Sequence, residues 1–129
     1  MYYLIDESVC SSIENARGIL KCIMDRVKRI IPDEAVLFDI RLILDELVYN
    51  GVKHGNEFKE EKKIKIRIEI TDDFVKIEVC DEGTGIKCRN KEYNPLDLKD
   101  CGRGLVLVKG LSDEFSVDKN KAVSIKYIK

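Results

Sequence analysis

Apolar positions along the chain recur first at helical and then at strand spacing. Ile13, Ala16, Leu20, Ile23, Val27 and Ile30 fall three and four residues apart, which predicts a helix with one apolar stripe. Ahead of it, Ser11-Ser12-Ile13-Glu14 places serine and glutamate three apart, the pattern of a capping box that satisfies free amides of a first helical turn. The opening YYLI predicts a short edge strand. Pro32-Asp33-Glu34 interrupts the pattern and starts a second helix, with Leu37, Ile40, Leu44, Leu47, Val48 and Gly51 on its buried face. From Ile64 the period changes to two: Ile64, Ile66, Ile68 and Ile70 alternate with Lys65, Arg67 and Glu69, as in a strand with one face buried. Val75, Ile77 and Val79 alternate again after Thr71-Asp72-Asp73 and complete a hairpin. Residues 105–111 predict a short helix. Phe115 to Val117 and Val123 to Tyr127 predict a last strand pair about the turn Asp118-Lys119-Asn120. Helices, then strands, with one late helix, predict a single domain over 1–129. Its fold class is α/β, a two-layer sandwich with a mixed, mostly antiparallel sheet and helices on one face.

Composition narrows the function. The chain has 129 residues, 44% of them hydrophobic, enough for one core. Its 23 basic and 24 acidic residues give a net charge of −1, which argues against direct nucleic-acid binding. No apolar run is long enough to span a membrane, and the first residues lack the basic head and apolar body of a secretory signal. Five cysteines, an odd number with no Cys-x-x-Cys pair, point to a reducing, cytoplasmic setting. Cys88, Cys101 and His54 fit no common zinc spacing.

Three groups of residues carry candidate chemistry. Glu46 and Asn50 stand one turn apart on the second helix, so they lie above one another. Helical geometry puts Glu46 nearly opposite the buried stripe and Asn50 between the two sides, which makes an ordinary wet pair the plain reading. Leu42, Ile43 and Tyr49 around Glu46 make that side less polar than a wet face, as a helix lining a pocket would be. Asp81-Glu82-Gly83-Thr84-Gly85 follows a strand directly. Its glycines allow a sharp turn and close approach, and its carboxylate can accept a hydrogen bond from the exocyclic amine of adenine. A plain acidic turn has the same composition. Gly102-Arg103-Gly104-Leu105 opens the late helix, where free amides and the helix dipole favour phosphate; a glycine loop before a cap is the alternative. Together they supply a base, a metal-binding amide, an amine acceptor and a phosphate cradle, the inventory of a magnesium–ATP site. The irregular polar segment over about 86–101 then reads as a lid.

These residues match a known family. Glu46-x-x-x-Asn50 followed by His54-Gly55 resembles the N box of the GHKL (Bergerat-fold) ATPases. Asp81-x-Gly83-x-Gly85 resembles the first glycine box and Gly102-Arg103-Gly104-Leu105 the second. Size, the His-Gly pair and Asn94-Pro95 are most similar to the anti-sigma-factor serine/threonine protein kinases, whose ATPase domain is histidine-kinase-like. The resemblance implies a Bergerat fold, ATP and Mg2+ as cofactors, and a homodimer. It also implies two protein partners: a sigma factor that is held inactive and a small antagonist (anti-anti-sigma, STAS-type) protein that is phosphorylated. Residue by residue, it makes Asn50 the metal ligand, Glu46 the catalytic base and Asp81 the adenine acceptor. Gly83 and Gly85 shape the base pocket, and Gly102, Arg103, Gly104 and Leu105 hold phosphates under the lid. Lys53 and His54 have either phosphate-side or structural roles. Gly51 departs from the alanine common in relatives and predicts a looser or more closely approached helix end. A nucleotide-gated binding module without turnover, and a stand-alone histidine-kinase-type catalytic domain, are the alternative functions.

Overall fold

The computed structural model describes residues 1–83 and 100–128. Strand β1 covers Tyr2–Cys10, helix α1 Ile13–Ile30 and helix α2 Glu34–Asn50, which runs on into one turn of π-helix over Gly51–Gly55. Strands β2 (Lys63–Thr71) and β3 (Phe74–Cys80) form the expected hairpin. Helix α3 covers Asp100–Leu111, and β4 (Glu114–Asp118) and β5 (Lys121–Tyr127) close the chain. Gly85 and the expected lid lie outside the described residues, except that Asp100 and Cys101 already belong to α3.

The five strands are ordered β1-β2-β3-β5-β4, and all four pairings are antiparallel, so the sheet has no parallel rung among the described residues. Ile64, Ile66, Ile68 and Ile70 point to the inner face and are fully buried, whereas Lys65 and Arg67 between them are exposed. Val75, Ile77 and Val79 continue that inner face on β3, and Ile23 and Val27 of α1 with Ile40, Leu44 and Leu47 of α2 cover it. Each such isoleucine contributes about 1.5–3 kcal/mol by leaving water, and truncating one to alanine costs about 2–5 kcal/mol.

Four local expectations are corrected. β1 is long because it pairs with β2 along its whole length, from Tyr2 opposite Thr71 to Cys10 opposite Lys63. The cap of α1 is Ser12, whose hydroxyl accepts from the amide of Asn15 at 3.1 Å. Ser11 instead extends the β1 ladder through its amide to the Lys62 carbonyl at 3.0 Å, so no Ser11–Glu14 box forms. Ile43 is fully buried, although the helical wheel put it on the wet side. The reason is that α2 packs against α1, α3 and the sheet, which widens its apolar arc beyond one stripe. Finally, α3 starts at Asp100, so Gly102 and Arg103 lie inside its opening turn rather than ahead of it.

Candidate functional site

The site forms where α2 ends, β3 ends and α3 begins. Asp33 starts α2 by accepting from the amides of Ala35 and Val36 at 2.9 and 3.2 Å, so the helix is anchored far from the site. At its other end Glu46 is half-buried, and Asn50 is 2% exposed, which removes it from the wet side. The backbone of Gly104 presses on both. A β-carbon there would collide with Oε2 of Glu46 and lie 3.4 Å from Nδ2 of Asn50. The first and third groups singled out in the sequence are therefore in contact. Only glycine fits there without displacing the Glu46 carboxylate.

Asn50 is the exceptional side chain of this wall. Its Nδ2 is buried and has no hydrogen-bond partner. Leaving a buried polar group unsatisfied costs about 1–3 kcal/mol, so such groups call for an explanation. A half-turn about Cβ–Cγ exchanges the two ends of the carboxamide, and its oxygen end suits a hard cation. Burial raises the pKa of Glu46 above that of an ordinary glutamate, and the negative charge of Asp45 adds to the shift. Burial likewise raises Asp45, partly offset by Arg41 one turn earlier.

The π-helical turn brings the α2 wall to the end of β3. Its signature bond runs from the amide of Asn56 to the carbonyl of Gly51, 2.8 Å, five residues back. Gly51 is buried, and a β-carbon there would stand 2.9 Å from Cδ1 of Ile64, so this glycine serves close approach to β2. Gly55 lies directly against the carboxylate of Asp81, and Gly83 lies directly against the carbonyl of Gly55. Asp81 is 4% exposed and densely bonded. Its Oδ1 accepts from the Gly83 amide at 2.8 Å. Its amide donates to the carbonyl of Asn120 at 3.0 Å, and its carbonyl accepts from Nδ2 of Asn120 at 2.6 Å.

Of the remaining candidates, Lys53 places its ammonium 5.7 Å from the ring centre of Tyr49, and His54 is half-buried in the last part of the π turn. Leu105 is 3% exposed and belongs to the hydrophobic core, where it holds α3 down. Gly102 and Arg103 sit in the opening turn of α3, next to Gly104. Asn56 and Asn120 are the residues that sequence reasoning missed. Neither follows a periodic pattern, and each reads as a turn residue. Tyr49 and Asp45 line a groove between α1 and α2 with Leu20 and Met24, on the side of α2 away from Gly104. Among the described residues no three His, Cys, Asp or Glu side chains cluster for a metal. A cation held here would have Asn50 as its protein ligand and fill its shell with phosphate and water oxygens, as magnesium commonly does.

A five-stranded antiparallel sheet with helices on one face is the architecture of the GHKL fold class. The chain belongs to the histidine kinase-like ATPase domain family, whose profile matches residues 9–126. It is 36% identical over 88 residues to an anti-sigma F factor of Clostridium botulinum, covering 64% of this chain and 62% of that protein. It is 34% identical over 106 residues to the serine-protein kinase RsbW of Staphylococcus aureus, covering 70% and 65%. The chain thus spans a little under two thirds of the length of these relatives. The crystal structure of the RsbU and RsbW domains of a Mycobacterium tuberculosis protein shares the fold. It has a TM-score of 0.62 at 16% identity, covering 97% of this chain and 32% of that one.

Proposed function

We propose that this protein is an anti-sigma-factor-type serine/threonine protein kinase that uses ATP and Mg2+. It phosphorylates a small antagonist protein of the STAS type and sequesters a sigma factor. The observation that carries the reading is the junction of Glu46, Asn50 and Gly104: a carboxylate of raised pKa and a carboxamide whose Nδ2 is buried without a partner, both against the first turns of a helix. The family assignment and the names of the relatives support the choice of nucleotide and of partner.

Each residue then has a task. Asn50 holds the divalent cation through its oxygen end. Asp81 accepts from the exocyclic amine of adenine, and disfavours guanine because the guanine carbonyl would face it with lone pairs. Free amides in the opening turn of α3, with Arg103 beside them, receive phosphate oxygens. A magnesium ion held by Asn50 would supply neutralisation of the phosphate charge of ATP. Glu46 accepts the proton of the attacking serine or threonine hydroxyl, and its raised pKa makes it a stronger base than an exposed glutamate. The working form is a homodimer in the cytoplasm. Among the described residues no helix is long and apolar enough to cross a membrane.

Incubation with γ-labelled ATP, magnesium and candidate antagonist proteins tests the reading. Label on a serine or threonine of one antagonist is the expected result. Nucleotide binding without any transfer would reduce the protein to a nucleotide-gated binding module.

A further inference from the structure

Past its last regular rung the sheet departs from its register. Strands β2 and β3 pair from Ile70 opposite Val75 to Lys65 opposite Cys80. Continued by two residues, that register sets Glu82 opposite Lys63, where two main-chain hydrogen bonds would join them. Both are replaced by side-chain bonds. The Glu82 amide donates to Oδ1 of Asn56 at 2.8 Å, and Nδ2 of Asn56 donates to the Lys63 carbonyl at 3.0 Å. The Lys63 amide donates to the carboxylate of Glu82. The Asn56 carboxamide is thus inserted between the two chains as a spacer. On the opposite edge Asp81 keeps its place opposite Asn120: its amide donates to the Asn120 carbonyl, and its carbonyl accepts from Nδ2 of the same residue.

We infer that Asn56 is a positioning residue for the nucleobase: its carboxamide wedges the end of β3 away from β2 and so fixes the direction of the Asp81–Gly83 turn. The inference rests on the proposed nucleotide site and adds to it the element that sets adenine selectivity. Two observations support it. Asn56 is fully buried, and both ends of its carboxamide are used on the two strands it separates. The two residues after it, Glu57 and Phe58, have φ of 53° and 59°, backbone that non-glycine residues rarely adopt. Strain of this kind persists where the surroundings over-determine it, and here it lies beside the wedge.

The wedge acts on where the Asp81 carboxylate meets the base, while Glu46 and Asn50 stand on a different element. Removing it therefore affects nucleobase binding more than the transfer step. Titration calorimetry of the full chain with ATP, ADP and GTP, with transfer kinetics alongside, reads this out. For Asn56→Ala, affinity for ATP and ADP falls alike by about tenfold, the size expected for one lost buried hydrogen-bonded unit, and the preference for ATP over GTP shrinks with it. KM for ATP rises by the same factor, whereas kcat changes much less. Glu82 is exposed, so Glu82→Ala is a milder variant that keeps the fold. It shifts selectivity the same way by a smaller factor, and Glu82→Gln, which retains an acceptor for the Lys63 amide, restores it. Unchanged selectivity in both alanine variants overturns the inference, and so does an equal fall for ATP and GTP. A wild-type protein that binds neither ATP nor ADP overturns the nucleotide reading itself.

Discussion

The two walls of the site are built on opposite plans. At the end of β3, Asp81 has a hydrogen bond on its carboxylate, two bonds to Asn120 through its main chain, and Gly55 and Gly83 packed against it. At the end of α2, Asn50 is as deeply buried, yet one end of its carboxamide has no partner, and Glu46 carries a raised pKa. The first wall is complete as it stands and suits recognition of a rigid, planar group. The second holds one carboxamide nitrogen out of water without satisfying it, beside a half-buried carboxylate, which suits chemistry in which charge arrives with the substrate. A buried polar group left open is expensive, which is why the proposed cation and transfer chemistry is assigned to this wall.

The largest effect separating the walls is expected from Glu46→Gln. Loss of a positioned base lowers the transfer rate by about 10²–10⁴-fold, while affinity for ATP stays near wild type, as radiolabel transfer and calorimetry would show. The same variant has a pH signature. The pKa of Glu46 is higher in the folded than in the unfolded chain, so the folded state binds more protons between the two values. Its contribution to stability is therefore full below the unfolded pKa and is lost as pH rises through the folded one. Denaturant unfolding of Glu46→Gln should accordingly show no loss of stability at neutral pH. In the wild type, the acidic limb of kcat should lie above the range of an ordinary glutamate.

Next in size come two alanine substitutions that should behave differently. At Gly83 the new methyl meets the main-chain carbonyl of Gly55, which cannot swing away, so Gly83→Ala should lose about 1–3 kcal/mol of stability together with adenine binding. At Gly104 it meets the carboxylate end of Glu46, which can rotate, so Gly104→Ala should fold normally and lose transfer rate instead. Equal loss of stability in both would erase the distinction between a rigid and a soft wall. The smallest effect lies outside both walls. Glu57→Gly relieves a left-handed, non-glycine backbone and should raise stability by about 1 kcal/mol in denaturant unfolding, with unchanged nucleotide affinity.

Much of this was legible in the chain, and the gaps have physical causes. The isoleucines of β2 and the stripe of α1 declared themselves because each element buries a single face, so periodicity maps onto burial. Helix α2 is buried on several sides, so periodicity misplaced Ile43 and Asn50, the latter the proposed metal ligand. The three site motifs were legible as groups, and folding brings Glu46, Asn50 and Gly104 together and seats Asp81 on Gly55. The clamps Asn56 and Asn120 read only as turn residues. Each works by bonding main-chain groups of another element, Lys63 and Glu82 for one and Asp81 for the other. The length of β1 was hidden for a related reason: its partner, β2, comes some fifty residues later, and pairing rather than composition decides where the strand stops.

The central claim is that the open carboxamide of Asn50 engages ATP through a divalent cation. Calorimetric titration of ATP into the wild type and Asn50→Ala, each with and without magnesium, tests it most directly. The account predicts magnesium-dependent binding by the wild type, and in the variant weaker binding that magnesium no longer improves, in a protein at least as stable as its parent because the orphaned group is gone. Wild-type binding indifferent to magnesium, or an Asn50→Ala variant that responds to it as the parent does, would contradict the account.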